Sequence, residues 1–191
     1  NVVVIPHGVE TAARSAGTPL QAGRPLLIGC FGFLLQHKGV DRLIEMLGCA
    51  RRTPGAPALR LRLINAVRGD EESRNTLAHC RRLAKELGVE DAIEWHTDFL
   101  PNERVMSLLA DCDIAMLPYQ PTTESASGAV RQALSACAHV LVSRQPIFDE
   151  LRHCTYTVDA SGGESLLASM QAFIGQAGAE ADLARLAARE Q

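Results

Sequence analysis

Residues 26–39 read LLIGCFGFLLQHKG, an apolar run that meets glycine at Gly29 and Gly32 and ends on the pair Lys38-Gly39. From Val40 onward, apolar residues recur at helical spacing as far as Arg52, so the segment reads as strand, glycine turn and amphipathic helix. That succession is the plan of a phosphate-binding βα unit. It is not the dinucleotide fingerprint, because Gly29, Gly32 and Gly39 lack the G-x-G-x-x-G spacing, and it is not a P-loop, because neither Ser nor Thr follows Lys38. Lys38, just ahead of the helix, is either a solvated side chain or the cation that faces a phosphate.

The pattern repeats along the chain. Strands are expected at 2–5, 26–31, 59–64, 93–95, 114–117, 140–143 and 156–158. Between them, Leu77, Cys80, Leu83, Ala84 and Leu87 recur at helical spacing with Gly88 as the stop, and Asn102 is expected to cap a helix over 103–110. Alternating strands and helices predict an α/β fold, a Rossmann-like doubly wound, mostly parallel sheet with helices on both faces. Residues 50–58, ARRTPGAPA, read as a loop between layers, and the whole chain 1–191 as a single domain.

A fold of this kind presents ligands to the carboxyl ends of its strands, and the segment that follows 114–117 is the richest of these ends. Residues 118–142 read PYQPTTESASGAVRQALSACAHVLV. Ser125, Ala126, Ser127 and Gly128 have little side-chain bulk, so backbone N–H groups at the opening of the next helix can approach an anion. Ordinary capping explains such a turn equally well. Glu124, just before it, suits the hydroxyls of a sugar better than a bare phosphate, since a carboxylate only accepts hydrogen bonds. Together with Lys38, this combination points to a nucleotide-sugar donor.

Five segments, taken in order, resemble the C-terminal, donor-binding half of a GT-B glycosyltransferase of the retaining, group-one kind. Ile5-Pro6-His7-Gly8-Val9 resembles the I-P-N-G-V linker that opens this half, and Gly32 to Gly39 resembles the donor loop G-R-L-x-x-x-K-G with Lys38 at its lysine. Residues 93–105, IEWHTDFLPNERV, are similar to the segment that passes the nucleotide base, and 111–118, DCDIAMLP, to the strand ahead of the Glu-x7-Glu element. Glu124 falls on the first glutamate of that element. The resemblance implies catalytic roles for Lys38 and Glu124, and donor binding by Gly32, Phe33, Ser127, Gly128, Gln132, Thr97 and Phe99. It also implies departures: Phe33 stands where the family has a second cation for the diphosphate, and Gln132 stands at the second glutamate, beside the ribose. Arg131, one turn into the helix, is placed to replace the lost cation if it faces the ligand, although a helical arginine ordinarily faces water.

Further expectations follow from the resemblance. The full protein would transfer a sugar from a nucleoside diphosphate sugar, with retention, to an acceptor glycan or lipid-linked glycan held by an N-terminal domain absent from this chain. Surface polysaccharide or glycoconjugate synthesis at or near the cytoplasmic face of a membrane is the expected setting. The chain starts at a strand without Met, reads as a fragment cut at the linker, and is expected to bind donor but turn over little by itself. Two other readings stay open: a nucleotide-sugar epimerase, and a binding module whose catalysis has lapsed.

Composition sets outer bounds. With 47% hydrophobic residues and a mean hydropathy of +0.01, the chain is long enough to bury a core, and no run reaches the roughly 18 apolar residues of a membrane span. A net charge of −3 and 4% aromatic content give no footprint for nucleic acid. The six cysteines have no C-x-x-C spacing and read as small buried hydrophobes of a cytoplasmic protein. With no Asp-x-Asp pair beside the diphosphate and no cofactor motif, neither metal nor cofactor is expected. Asn65 and Arg68 follow one strand as polar loop residues that ordinarily face water, and His7, His37 and His153 read as surface or core histidines without an acid at a suggestive spacing.

Overall fold

The apolar run at 26–33 becomes strand β1 (Leu26–Phe33), which pairs in parallel with β2 (Leu59–Ala66) along its full length, Leu26 opposite Leu59 and Phe33 opposite Ala66. This is seen in a computed structural model that describes Leu20, residues 24–137 and residues 139–189, with side chains as far as residue 178. The strand expected at 2–5, the Ile5-to-Val9 segment and His7 lie outside the described residues.

Four more strands complete the sheet: β3 (Ile93–His96), β4 (Ile114–Leu117), β5 (Val140–Ser143) and β6 (Tyr156–Val158). The order is β3-β2-β1-β4-β5-β6 and every pair is parallel. Helices α1 (Val40–Arg52), α2 (Glu71–Glu86) and α5 (Gly163–Arg189) share one face, where Ile28, Leu61, Ile114 and Leu141 meet Leu43, Leu47, Cys80, Leu166 and Met170. Helices α3 (Asn102–Ala110) and α4 (Gly128–Ala136) cover the other: Leu108 and Leu109 pack with Ile64, while Val130 and Ala133 pack with Ala115 and Val142. Because both faces are covered, β4 and β5 are buried at every residue, whereas β2 alternates at its start, where Arg60 is exposed.

Three helices depart from the expected bounds. Asp70 accepts the Ser73 N–H at 2.9 Å, and this cap starts α2 at Glu71, well ahead of the apolar stripe that marked it. Pro101, whose ring presets φ, is the N-cap of α3, so Asn102 is its first residue and its side chain accepts a hydrogen bond from Gln132 instead of capping. No helix was expected after 156–158, yet α5 places Leu166, Leu167, Met170 and Phe173 in the main core. Cys30, Cys49, Cys80, Cys112 and Cys137 are buried and Cys154 is exposed, all as free thiols, and burial pushes Cys30, Cys80 and Cys112 up to about 12.

Candidate functional site

The strand order reverses between β1 and β4, since the chain runs outward through β2 and β3 on one side and through β5 and β6 on the other. The loops leaving β1 and β4 therefore diverge and leave a crevice at their carboxyl ends. Gly32, the last residue but one of β1, has φ +137, and beyond the strand a single 3₁₀ turn, Gln36–Lys38, carries the first loop to Gly39. Gly39 has φ +70, and a Cβ there would stand 2.1 Å from the Pro118 carbonyl oxygen. Only glycine allows the two loops to lie this close. Gln120 ties them together: its N–H donates to the His37 carbonyl at 2.7 Å and its side chain to Pro118 O at 2.9 Å.

That closure carries Lys38 onto the residues after β4. Its Nζ lies 4.1 Å from the centroid of the Tyr119 ring and donates to Glu124 Oε2 at 2.6 Å, and Lys38 is only 8% exposed. The other Glu124 oxygen is 3.1 Å from His37 Nε2. His37 is thus not a histidine without an acid: the 3₁₀ turn swings it beside a carboxylate from a distant segment, which sequence spacing cannot show. Burial alone would raise the Glu124 carboxyl, but Lys38 and then His37 outweigh it and hold the group below the usual carboxylate range. Tyr119 is buried, which pushes its hydroxyl well above the usual range, and that hydroxyl pairs with Ser127 Oγ at 3.1 Å.

Ser127 is the N-cap of α4, its Oγ accepting the Val130 N–H at 3.4 Å. The N–H groups of Gly128 and Ala129 remain without a side-chain cap among the described residues and stand at the wall of a cavity of about 1010 Å³. Gly32, Phe33, Lys38, Phe99, Glu124, Ser127, Gly128 and Gln132 all line it. Thr97 does not; its carbonyl accepts the Val67 N–H at 2.8 Å and serves the junction of two loops. Phe33 and Phe99 stack at a centroid distance of 6.4 Å and an interplanar angle of 25°, and they are 42% and 82% exposed. Gln132 donates to Asn102 Oδ1 at 2.6 Å across the α3–α4 seam.

Of the other polar residues, Arg131 lines the cavity with its guanidinium 3.1 Å from Glu150, and Arg68 lines it from the loop after β2. Asn65 is buried and donates to Cys30 Sγ at 3.8 Å rather than facing the cavity. His153 is exposed. Among the described residues no group of three or more His, Cys, Asp or Glu is placed to hold a metal, and no helix is long and apolar enough to cross a membrane.

No protein-family model and no curated protein sequence matches the chain. Solved structures do. Sucrose-phosphate synthase from Thermosynechococcus elongatus superposes with a TM-score of 0.67 at 13% identity, over 83% of this chain and 38% of that one. An α,α-trehalose-phosphate synthase from Burkholderia xenovorans, in complex with glucose-6-phosphate, gives 0.65 at 12% identity over 77% and 35%. HepE from Anabaena, in complex with UDP and glucose, gives 0.62 at 17% identity over 75% and 37%. These neighbours are GT-B glycosyltransferases, and the fold of this chain fits the C-terminal half of such an enzyme. The chain spans less than two-fifths of the length of each of these three.

Proposed function

We propose that this chain is the donor-binding half of a GT-B glycosyltransferase that moves a sugar from a nucleoside diphosphate sugar to an acceptor with retention of configuration. The observation that carries the reading is the Lys38–Glu124 pair at 2.6 Å, set across the topological crevice beside the open N-terminus of α4. A sugar–diphosphate bond breaks when the charge growing on the departing phosphate is stabilised by groups already in place. Lys38 and the amides of Gly128 and Ala129 supply that charge complement, and Glu124 accepts hydrogen bonds from the sugar. Lys38 must then exchange one anion for another, its Glu124 carboxylate for phosphate, while the Tyr119 ring stays beneath it. The acceptor belongs to an N-terminal domain on the far side of the cleft, and glycoconjugate synthesis on a cytoplasmic membrane face is the setting that fits.

Calorimetric titration of the chain with UDP-, GDP-, ADP- and dTDP-sugars tests this directly. One of the four should bind, weakly and with heat unchanged by EDTA, because the diphosphate is met by Lys38 and helix amides rather than by a metal. Binding of none of them, or binding only with added divalent metal, overturns the proposal. Product analysis of the full-length protein separates transferred sugar from epimerised or untouched donor.

A further inference from the structure

We propose that Arg68 is the second cation of the donor site and takes the diphosphate beside Lys38. The inference rests on the donor-binding reading above and adds a residue to it. A nucleoside diphosphate brings at least two negative charges, and Lys38 carries one positive charge that Glu124 already opposes. Arg131 engages Glu150 with one terminal nitrogen at 3.1 Å, while its buried Nε has no hydrogen-bond partner among the described residues. Arg68 differs in keeping both terminal nitrogens open: its Nε meets Asp70 at 2.5 Å, and no described residue takes the other two. Those two are the pair that binds a phosphate in bidentate fashion.

Its position is built rather than incidental. The guanidinium lies 5.9 Å from the centroid of the Phe33 ring, so Phe33, though uncharged, holds a cation over the donor loop. Ser73, which is fully buried, ties the two loops: its Oγ accepts the Arg68 N–H at 3.0 Å and donates to the Leu34 carbonyl at 2.7 Å. Arg68 is thereby registered against the residue that follows Phe33. Asp70, as the cap of α2, holds the arm from the other side.

The test is titration of wild type, Arg68→Ala, Arg68→Lys and Lys38→Ala with UDP, GDP, ADP and dTDP and with the matching nucleosides. Arg68→Ala should weaken the diphosphate that binds by about 10- to 100-fold, the scale of a lost charge-assisted hydrogen bond, and the nucleoside by less than about twofold. Arg68→Lys should fall between wild type and Arg68→Ala, keeping charge without the fork. Unchanged diphosphate affinity in Arg68→Ala alongside a loss in Lys38→Ala overturns this inference and leaves the donor site standing. Equal weakening of nucleoside and diphosphate also overturns it, by showing that Arg68 acts through stacking on Phe33 rather than through charge. Failure of every diphosphate to bind the wild type removes the donor reading and this inference together.

Discussion

Lys38 joins two roles that a surface lysine would keep apart. A lysine ahead of a helix reads as a solvated side chain or a phosphate-facing cation, but at 8% exposure, over Tyr119 and against Glu124, Lys38 is part of the packed structure. If the proposed donor-binding role holds, Lys38→Ala in the full-length protein should lower sugar-transfer turnover by about two to three orders of magnitude, the cost of deleting one preorganised charge-stabilising group. It should also lower stability by about 1 to 2 kcal/mol, less than for a fully buried pair because Glu124 is 38% exposed and water screens it. Chemical denaturation and single-turnover kinetics on the same variant read both. Near-normal turnover would put the phosphate elsewhere in the cavity. The residues that matter here were legible as types, a lysine before a helix and a glutamate before a small-residue turn. That Lys38 is buried, and that His37 joins it at Glu124, was not legible, because both follow from the contact of Gly39 with Pro118.

At the scale of elements, α4 is at once a wall of the cavity and part of the core, and Ser127 is the joint between those roles. Its Oγ caps the helix through Val130 and meets the buried Tyr119 hydroxyl. Ser127→Ala should cost about 1 to 2 kcal/mol in urea denaturation, because it removes a cap and strands a buried hydroxyl. Tyr119→Phe in the same background should restore part of that loss, since removing both partners leaves no buried polar atom unpaired. Strictly additive losses would show that the two hydroxyls do not interact. The start of α4 was visible in the run Ser125 to Gly128, whereas α5 was not anticipated. Its apolar residues Leu166, Leu167, Met170 and Phe173 fill a core whose other side is made by α1, and that demand is not local to the segment.

For the whole molecule, the charge network sets the response to acid. Burial lowers His139, which packs edge-on to Phe173 at a centroid distance of 5.2 Å. The Ser73 N–H lowers Asp70, Arg51 lowers Asp91 and the Ser161 N–H lowers Asp159, while in Glu94 and Glu124 their cationic partners outweigh burial. Every one of these groups takes up its proton at lower pH in the folded chain than in the unfolded one, so acidification works against the fold at each: the carboxylates lose their partners, and buried His139 resists taking on a charge. The urea midpoint should therefore decline gently as pH falls below about 6.5, the unfolded histidine value, and steeply below about 4, where unfolded carboxylates protonate. A midpoint that rises on acidification would contradict the network. What the sequence determined alone was the layer architecture and the sheet edge at which the crevice opens: runs of buried strand residues, helical spacing and glycine punctuation are local signals, and a doubly wound sheet sends its loops to one edge. What only the tertiary structure decided was which side chains share the crevice. Lys38, His37 and Glu124 converge, Arg68 lies over Phe33, and Thr97 is not part of the cavity lining, because those outcomes depend on strand order, on loop closure at Gly39 and on burial, none of which is encoded within a single segment.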